Sequence, residues 1–198
     1  MNKQLQIIGL AGTNGSGKDS VGQLLSKYHK YLFVSVTELL RTELKVRDLP
    51  VTRENLRMVS AEWRQEHGSG VLIDMALSSY QAVKDQYAGI AIASLRHAGE
   101  ADRVHALGGL VIWVDADPRI RYDRVQVNAA VRGRAGEDNK TYEQFQAEEA
   151  IEMGGTVASD NTALNMLAVK ELSDVKIDNS EQDVAHLRSN IEKALSLK

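Results

Sequence analysis

The chain has 198 residues, enough for one domain with a substantial core, and its 24 basic and 27 acidic side chains leave a formal charge of −3. That balance disfavours a nucleic-acid polymer or an anionic membrane surface as partner, and the lack of cysteine excludes disulfides, thiolate zinc sites and a thiol nucleophile. No apolar run approaches the roughly 18 residues that span a bilayer, the start Met-Asn-Lys-Gln-Leu-Gln has no signal-peptide core, and the five histidines show no metal-ligand spacing, so the expectation is a soluble cytoplasmic protein.

The first element is an apolar strand, Leu5 to Leu10, followed by Gly12-Thr13-Asn14-Gly15-Ser16-Gly17-Lys18. This run fits the phosphate-binding pattern G-x-x-x-x-G-K. A polyphosphate needs several backbone N–H groups converging on it with no side chain in the way, which Gly12, Gly15 and Gly17 permit. Lys18 opens a helix with apolar residues at Val21, Leu24, Leu25 and Tyr28, so its ammonium joins the positive end of the helix dipole where β- and γ-phosphates rest. Asn14, Ser16, Asp19 and Ser20 complete the expected nucleotide site. Asp19 stands where most such loops carry the hydroxyl that meets Mg2+, leaving Ser20 as the better-placed hydroxyl and Ser20 with Asp19 as the expected metal contacts.

A second strand, Leu32 to Val36, runs into Ser35-Val36-Thr37-Glu38-Leu39-Leu40-Arg41, with Thr37 expected as an N-cap and Ser35 and Arg41 on the acceptor side. Before the next strand lie about fifty residues of helical pattern, including Arg53 to Glu66 and Val71 to Val83, well beyond the dozen or so a plain crossover needs. This excess, about 37–87, reads as a substrate-side insertion. Arg57 and Arg64 are seven apart within it and share one helical face.

The third strand, Gly89 to Ser94, ends at Arg96 and Glu100. In open parallel sheets ligands collect at such carboxyl ends, so Arg96 is expected to hold an acceptor phosphate, with Glu100 orienting it or touching substrate. The near-continuous apolar strand Leu110 to Asp115 belongs inside the sheet. After it, Asp117-Pro118 marks a helix start, and Arg121 and Arg124 are neighbours on that helix. The charged, glycine-containing stretch Asn128 to Lys140 reads as part of a lid, about 126–140, bearing Arg132 and Arg134. A weaker strand, Val175 to Asp178, closes the pattern. Alternation of strands and helices argues for an α/β fold, a parallel sheet with helices on both faces.

Phosphoryl transfer asks a protein for alignment and charge stabilisation, and arginines supply both because they stay charged and grip phosphate oxygens bidentately. Lys18, Arg124, Arg132 and Arg134 are therefore the expected catalytic groups. Taken together, Gly12 to Ser20, Ser35 to Arg41, Thr52 to Leu56 with Arg64 and Gly68, Leu95-Arg96 with Glu100, Val114 to Arg119 with Arg121 and Arg124, Thr141 to Phe145, and Ser173 to Asn179 resemble the nucleoside monophosphate kinase branch of the P-loop kinases. Within it the likeness is to small archaeal and bacterial proteins similar to adenylate kinase and dephospho-CoA kinase.

That resemblance implies a three-layer α/β/α P-loop NTPase fold with a five-stranded parallel sheet, use of ATP with Mg2+, a lid that closes on binding and a small-molecule nucleotide acceptor. Many relatives place an aspartate two residues before the position of Ser94; Ile92-Ala93-Ser94-Leu95 offers none, so metal positioning falls to Ser20, Asp19 or Asp115. The expected activity is transfer of the γ-phosphoryl group of ATP to a nucleoside or deoxynucleoside monophosphate. One alternative is dephospho-CoA kinase-like transfer to a sugar hydroxyl, with Asp19 or Glu100 as general base. Another is a nucleotide-binding regulator with little turnover. Oligomeric state is left open.

Overall fold

The computed structural model describes residues 6–128, 140–154, 164–181 and 183–197. Five strands, β1 (Ile7–Ala11), β2 (Tyr31–Ser35), β3 (Gly89–Leu95), β4 (Leu110–Asp115) and β5 (Val175–Asp178), pair in parallel in the order β2-β3-β1-β4-β5. Each expected strand is present, with ends shifted by a residue or two. Helices α1 (Lys18–His29), α2 (Val36–Val46), α3 (Arg53–His67), α4 (Val71–Gln81), α5 (Ala98–Ala106), α6 (Pro118–Asn128), α7 (Tyr142–Glu152), α8 (Met166–Glu171) and α9 (Val184–Leu195) connect and cover them. No helix among the described residues is long and apolar enough to cross a membrane.

Strand alternation splits the core in two. Val111 and Trp113 of β4 point to one face, where α2, α3, α4, α5 and α8 pack, while Ile112 and Val114 point to the other, where α1 and α9 pack. Burial on both faces is why β4 reads as an unbroken apolar run. The two faces also explain where a crevice opens. β1 feeds α1 on one face and β3 feeds α5 on the other, so the connections diverge at the carboxyl ends of these neighbouring strands and leave a crevice between them.

Local signals set the helix starts around that crevice. The Asp117 carboxylate accepts from the N–H groups of Arg119 (2.8 Å) and Ile120 (3.3 Å), and Pro118 opens α6, as the sequence predicts. Thr52 caps α3 by accepting from Asn55 N (3.2 Å), and Gly68, at φ 93°, ends it. The expected N-cap at Thr37 is corrected by two residues. Ser35 holds the extended backbone of the cap position, and Thr37 lies inside α2. At the end of β3 the register against β1 slips past Ser94, which adopts φ 75° and turns toward the crevice.

Gly9, in the centre of β1, has no room for a side chain: a Cβ there would stand 2.8 Å from Leu95, 3.3 Å from Val104 and 3.4 Å from Val111. Its bareness lets α5 close onto the sheet. Gly9→Val is expected to destabilise the protein by about 1–3 kcal/mol through overpacking, read as a lower urea midpoint with an unchanged slope.

Candidate active site

The loop between β1 and α1 is held by contacts that only glycines allow. A Cβ on Gly12 (φ 144°) would lie 2.3 Å from the Val114 carbonyl oxygen, one on Gly15 (φ 80°) 2.4 Å from the Arg121 carbonyl oxygen, and one on Gly17 (φ 93°) 2.2 Å from the Asn179 side-chain amide. The loop thus rests on the end of β4, on α6 and on the residue after β5. Asn179 Nδ2 donates to the Ser16 carbonyl (2.8 Å), and Arg124 Nη2 donates to the Asn179 carbonyl (2.8 Å) and to that of Glu181 (3.2 Å). Gly17 occupies the N-cap of α1 with no side-chain cap, so the first-turn amides point into the loop. Lys18 is buried, its Nζ donating to the Thr13 carbonyl (3.4 Å), while Asp19 and Ser20 are exposed on the same turn.

Beside this loop, a cleft opens at the carboxyl end of β3. Asn14 from the loop, Val36, Thr37 and Leu40 from α2, Arg53, Leu56, Arg57, Ser60 and Arg64 from α3, Ser94 and Arg96 from β3 and its exit, and Glu152 from α7 all line it. Arg57 and Arg64, which the seven-residue spacing put on one face, do meet here. Arg53 joins them one turn before Arg57.

Two carboxylates organise these arginines. Glu100 has no exposed surface and accepts from Arg64 Nη2 (2.8 Å), Arg96 N (2.7 Å) and His97 N (3.2 Å), the last as part of a capping box in which His97 Nδ1 accepts from Gly99 N (3.0 Å). Its expected contact with substrate is therefore corrected: Glu100 sits behind the cleft wall and fixes Arg64 and the backbone of Arg96 in place. Glu152, whose side chain is 6% exposed, pairs with Arg96 (3.0 Å), Arg53 (3.6 Å) and Arg57 (3.8 Å). Burial pushes its carboxyl up, but Arg96, Arg53, Arg57 and Lys18 outweigh that and hold it below the usual carboxylate range.

The same helix reaches the loop. Glu149 accepts from Arg121 Nη1 (2.8 Å), and that guanidinium also donates to Thr13 Oγ1 (2.7 Å) and, through Nε, to the Ala116 carbonyl (2.8 Å). Glu148 pairs with Arg53 (2.9 Å) and with Lys140.

Other expected residues are placed differently. Arg124 buttresses the loop through Asn179, and Arg121, one turn earlier, is the arginine against Thr13; the helix turns the two neighbours to different tasks. Arg41 pairs with Glu38 (3.3 Å) and does not line the cleft, nor does Ser35. Arg132 and Arg134, and most of the expected lid, lie outside the described residues; its end is pinned where Tyr122 Oη donates to the Lys140 carbonyl (3.0 Å). Among the described residues no cluster of three or more His, Cys, Asp or Glu forms a metal cage. Asp115 is committed to Lys170 (3.1 Å), Trp113 Nε1 (3.2 Å) and Ala116 N (3.0 Å). Glu152 and Arg53 were missed. The usable signal was helical: Phe145 and Glu152, two turns apart, are the buried residues of α7, so a carboxylate occupied a core-facing position.

Because Arg64 and Glu100 are both buried, removing one partner strands the other. Arg64→Met is expected to cost about 3–5 kcal/mol, measured by chemical denaturation; a loss under about 1 kcal/mol would mean that the pair is not formed in solution.

The cradle formed by Gly12, Gly15 and Gly17 at a helix N-terminus matches the shape and charge of a nucleotide polyphosphate. No family model matches the chain. In fold the structure is similar to TT1252 from Thermus thermophilus (TM-score 0.63, 14% identity, 98% of this chain and 97% of that one) and to shikimate kinase from Bacteroides thetaiotaomicron (TM-score 0.58, 10% identity, 98% and 99%). In sequence it is 30% identical over 168 residues to a UPF0200 protein of Hyperthermus butylicus, covering 84% of this chain and 86% of that protein. Identity at this level along most of both chains means that the protein belongs to the UPF0200 family.

Proposed function

We propose that this protein is an ATP-dependent phosphotransferase that moves the γ-phosphoryl group of ATP onto a small nucleotide acceptor bearing an anionic group. A nucleoside or deoxynucleoside monophosphate meets that description, and so does a dephospho-CoA-like molecule; they differ in whether a phosphate oxygen or a hydroxyl receives the phosphoryl group. One observation carries the reading: Asn14 belongs both to the glycine-cradled loop that ends in Lys18 and to the arginine-lined cleft, so a donor site and an anion-binding acceptor site share a wall. Fold similarity to a protein named as a shikimate kinase supports it.

In this reading the first-turn amides and Lys18 hold the donor phosphates, and Arg57 and Arg96 hold the acceptor's anionic group. Arg121, against Thr13, takes the place beside the donor phosphates that the sequence suggested for Arg124, with Arg132 and Arg134 as further charge-stabilising arginines. Mg2+ accompanying ATP would be held by Ser20 or Asp19, hard oxygen donors on the exposed turn after Lys18, and would neutralise phosphate charge. A reaction that draws on ATP suits a cytoplasmic setting.

The test is an ADP-release assay with ATP and Mg2+ against the ribo- and deoxyribonucleoside monophosphates and dephospho-CoA. Lys18→Ala is expected to lower kcat by at least about 10²-fold, and Arg57→Ala to raise the acceptor KM about tenfold with the ATP KM unchanged. ATP binding by calorimetry with no ADP from any acceptor would replace the enzyme by a nucleotide-binding regulator.

A further inference from the structure

We propose that Glu152 is the proton acceptor for a hydroxyl nucleophile, so that the group phosphorylated in this cleft is an alcohol and not a phosphate. The inference rests on the phosphotransferase reading above and assigns the receiving atom that reading leaves open.

Glu152 is held in an asymmetric way. The closest approaches of Arg96, Arg53 and Arg57 to this carboxylate are to Oε1, and Arg96 Nη1 donates its hydrogen bond there. Among the described residues, no hydrogen bond reaches Oε2, although the side chain is 6% exposed and borders the cleft together with Asn14 and Ser94. One oxygen fixes the carboxylate and the other keeps its lone pairs for a ligand.

The other carboxylates nearby among the described residues are engaged or lie outside the cleft: Glu148 pairs with Arg53 and Lys140, and Glu149 with Arg121. Glu100 is sealed behind Arg64 and two backbone amides, Asp115 is bound to Lys170, and Asp19 is exposed outside the cleft. Among the described residues that line the cleft, Glu152 is the one acid.

Its presence bears on the acceptor's chemistry. A phosphate acceptor is already an anion at neutral pH and needs no base, and a buried carboxylate beside it would repel it. An alcohol must lose a proton as it attacks. Arg53, Arg57 and Arg96 outnumber Glu152, so the cleft still attracts an anionic group elsewhere on the same molecule, and Arg57, with 46% of its side chain exposed, is the one most open to it. The surrounding cations keep Glu152 ionised at neutral pH, the form that accepts a proton.

In the step, the alcohol O–H gives its proton to Glu152 Oε2 while its oxygen bonds to the γ-phosphorus of ATP. The bond from that phosphorus to the β,γ-bridging oxygen breaks, and its electron pair leaves with ADP. The products are a phosphate monoester, ADP and a protonated Glu152 that passes its proton to water.

The experiment incubates the wild-type protein with ATP, Mg2+ and, separately, dephospho-CoA, ribose 5-phosphate, shikimate and each nucleoside monophosphate, and reads the new linkage by ³¹P NMR. It then compares Glu152→Gln, Glu152→Asp and Lys18→Ala. The expected result is a phosphate monoester, with Glu152→Gln lowering kcat about 10²–10⁴-fold while acceptor KM and ATP affinity change less than about threefold, and with Glu152→Asp intermediate. A phosphoanhydride product, or a Glu152→Gln enzyme with wild-type kcat, overturns the inference and leaves the phosphotransferase reading standing. A Glu152→Gln variant that loses acceptor affinity and keeps kcat shows an arginine-positioning role and also overturns it. If the variants fail to fold, the wild-type linkage decides alone. No Lys18-dependent ADP from any acceptor overturns both readings.

Discussion

A loop can approach a polyphosphate only if its own backbone is fixed and its side chains are out of the way. Here both conditions are met by the same contacts. Gly12, Gly15 and Gly17 press against the Val114 carbonyl, the Arg121 carbonyl and the Asn179 amide, which belong to β4, α6 and the exit of β5. Three elements far apart in the chain therefore converge on one turn. Any side chain at these glycines would push the loop off at least one support, and the positive φ at each would add backbone strain. The sheet order makes the convergence possible, because it places β1 between β3 and β4 with β5 next to β4.

The cleft beside the loop is a problem in buried charge. Arginines close together repel one another and lose hydration, so each needs a fixed counter-ion. Glu100 serves Arg64, Glu152 serves Arg53, Arg57 and Arg96, and Glu149 serves Arg121. Two of these acids come from α7, which follows the charged stretch after α6 and returns to the cleft by capping at Thr141 and burying Phe145. Helix α7 thus ties the cleft to the loop: Glu149 and Glu152 are three residues apart on it and reach Thr13's partner and the cleft arginines respectively. The order of the site depends on these pairs as much as on the residues that would meet ligand.

Much of this is legible in the sequence. The strands stood out because burial on two faces demands unbroken apolar runs, and the phosphate loop stood out because glycine spacing, lysine and helix start all serve one purpose. Arg57, Arg64 and Arg96, singled out by helical spacing and by a strand end, line one cleft. Arg124 does not, because two arginines three apart on a helix share a face only approximately. A rotation of that size turns Arg121 to the loop and Arg124 to Asn179. For Glu100 the sequence leaves open whether it orients Arg96 or touches substrate, because its burial behind Arg64 depends on α3 reaching α5's first turn, which no local pattern records.

The sequence by itself determined the secondary structure, the parallel α/β class and the phosphate loop, since each follows from interactions between residues near in the chain: periodicity of burial, capping, glycine geometry. Only the tertiary structure decided which acid faces which arginine. Glu152 and Arg96 are 56 residues apart and Arg121 and Thr13 are 108 apart. Charge pairing of this kind depends on distance in space and on exclusion of water, and both exist only once the helices have closed over the sheet.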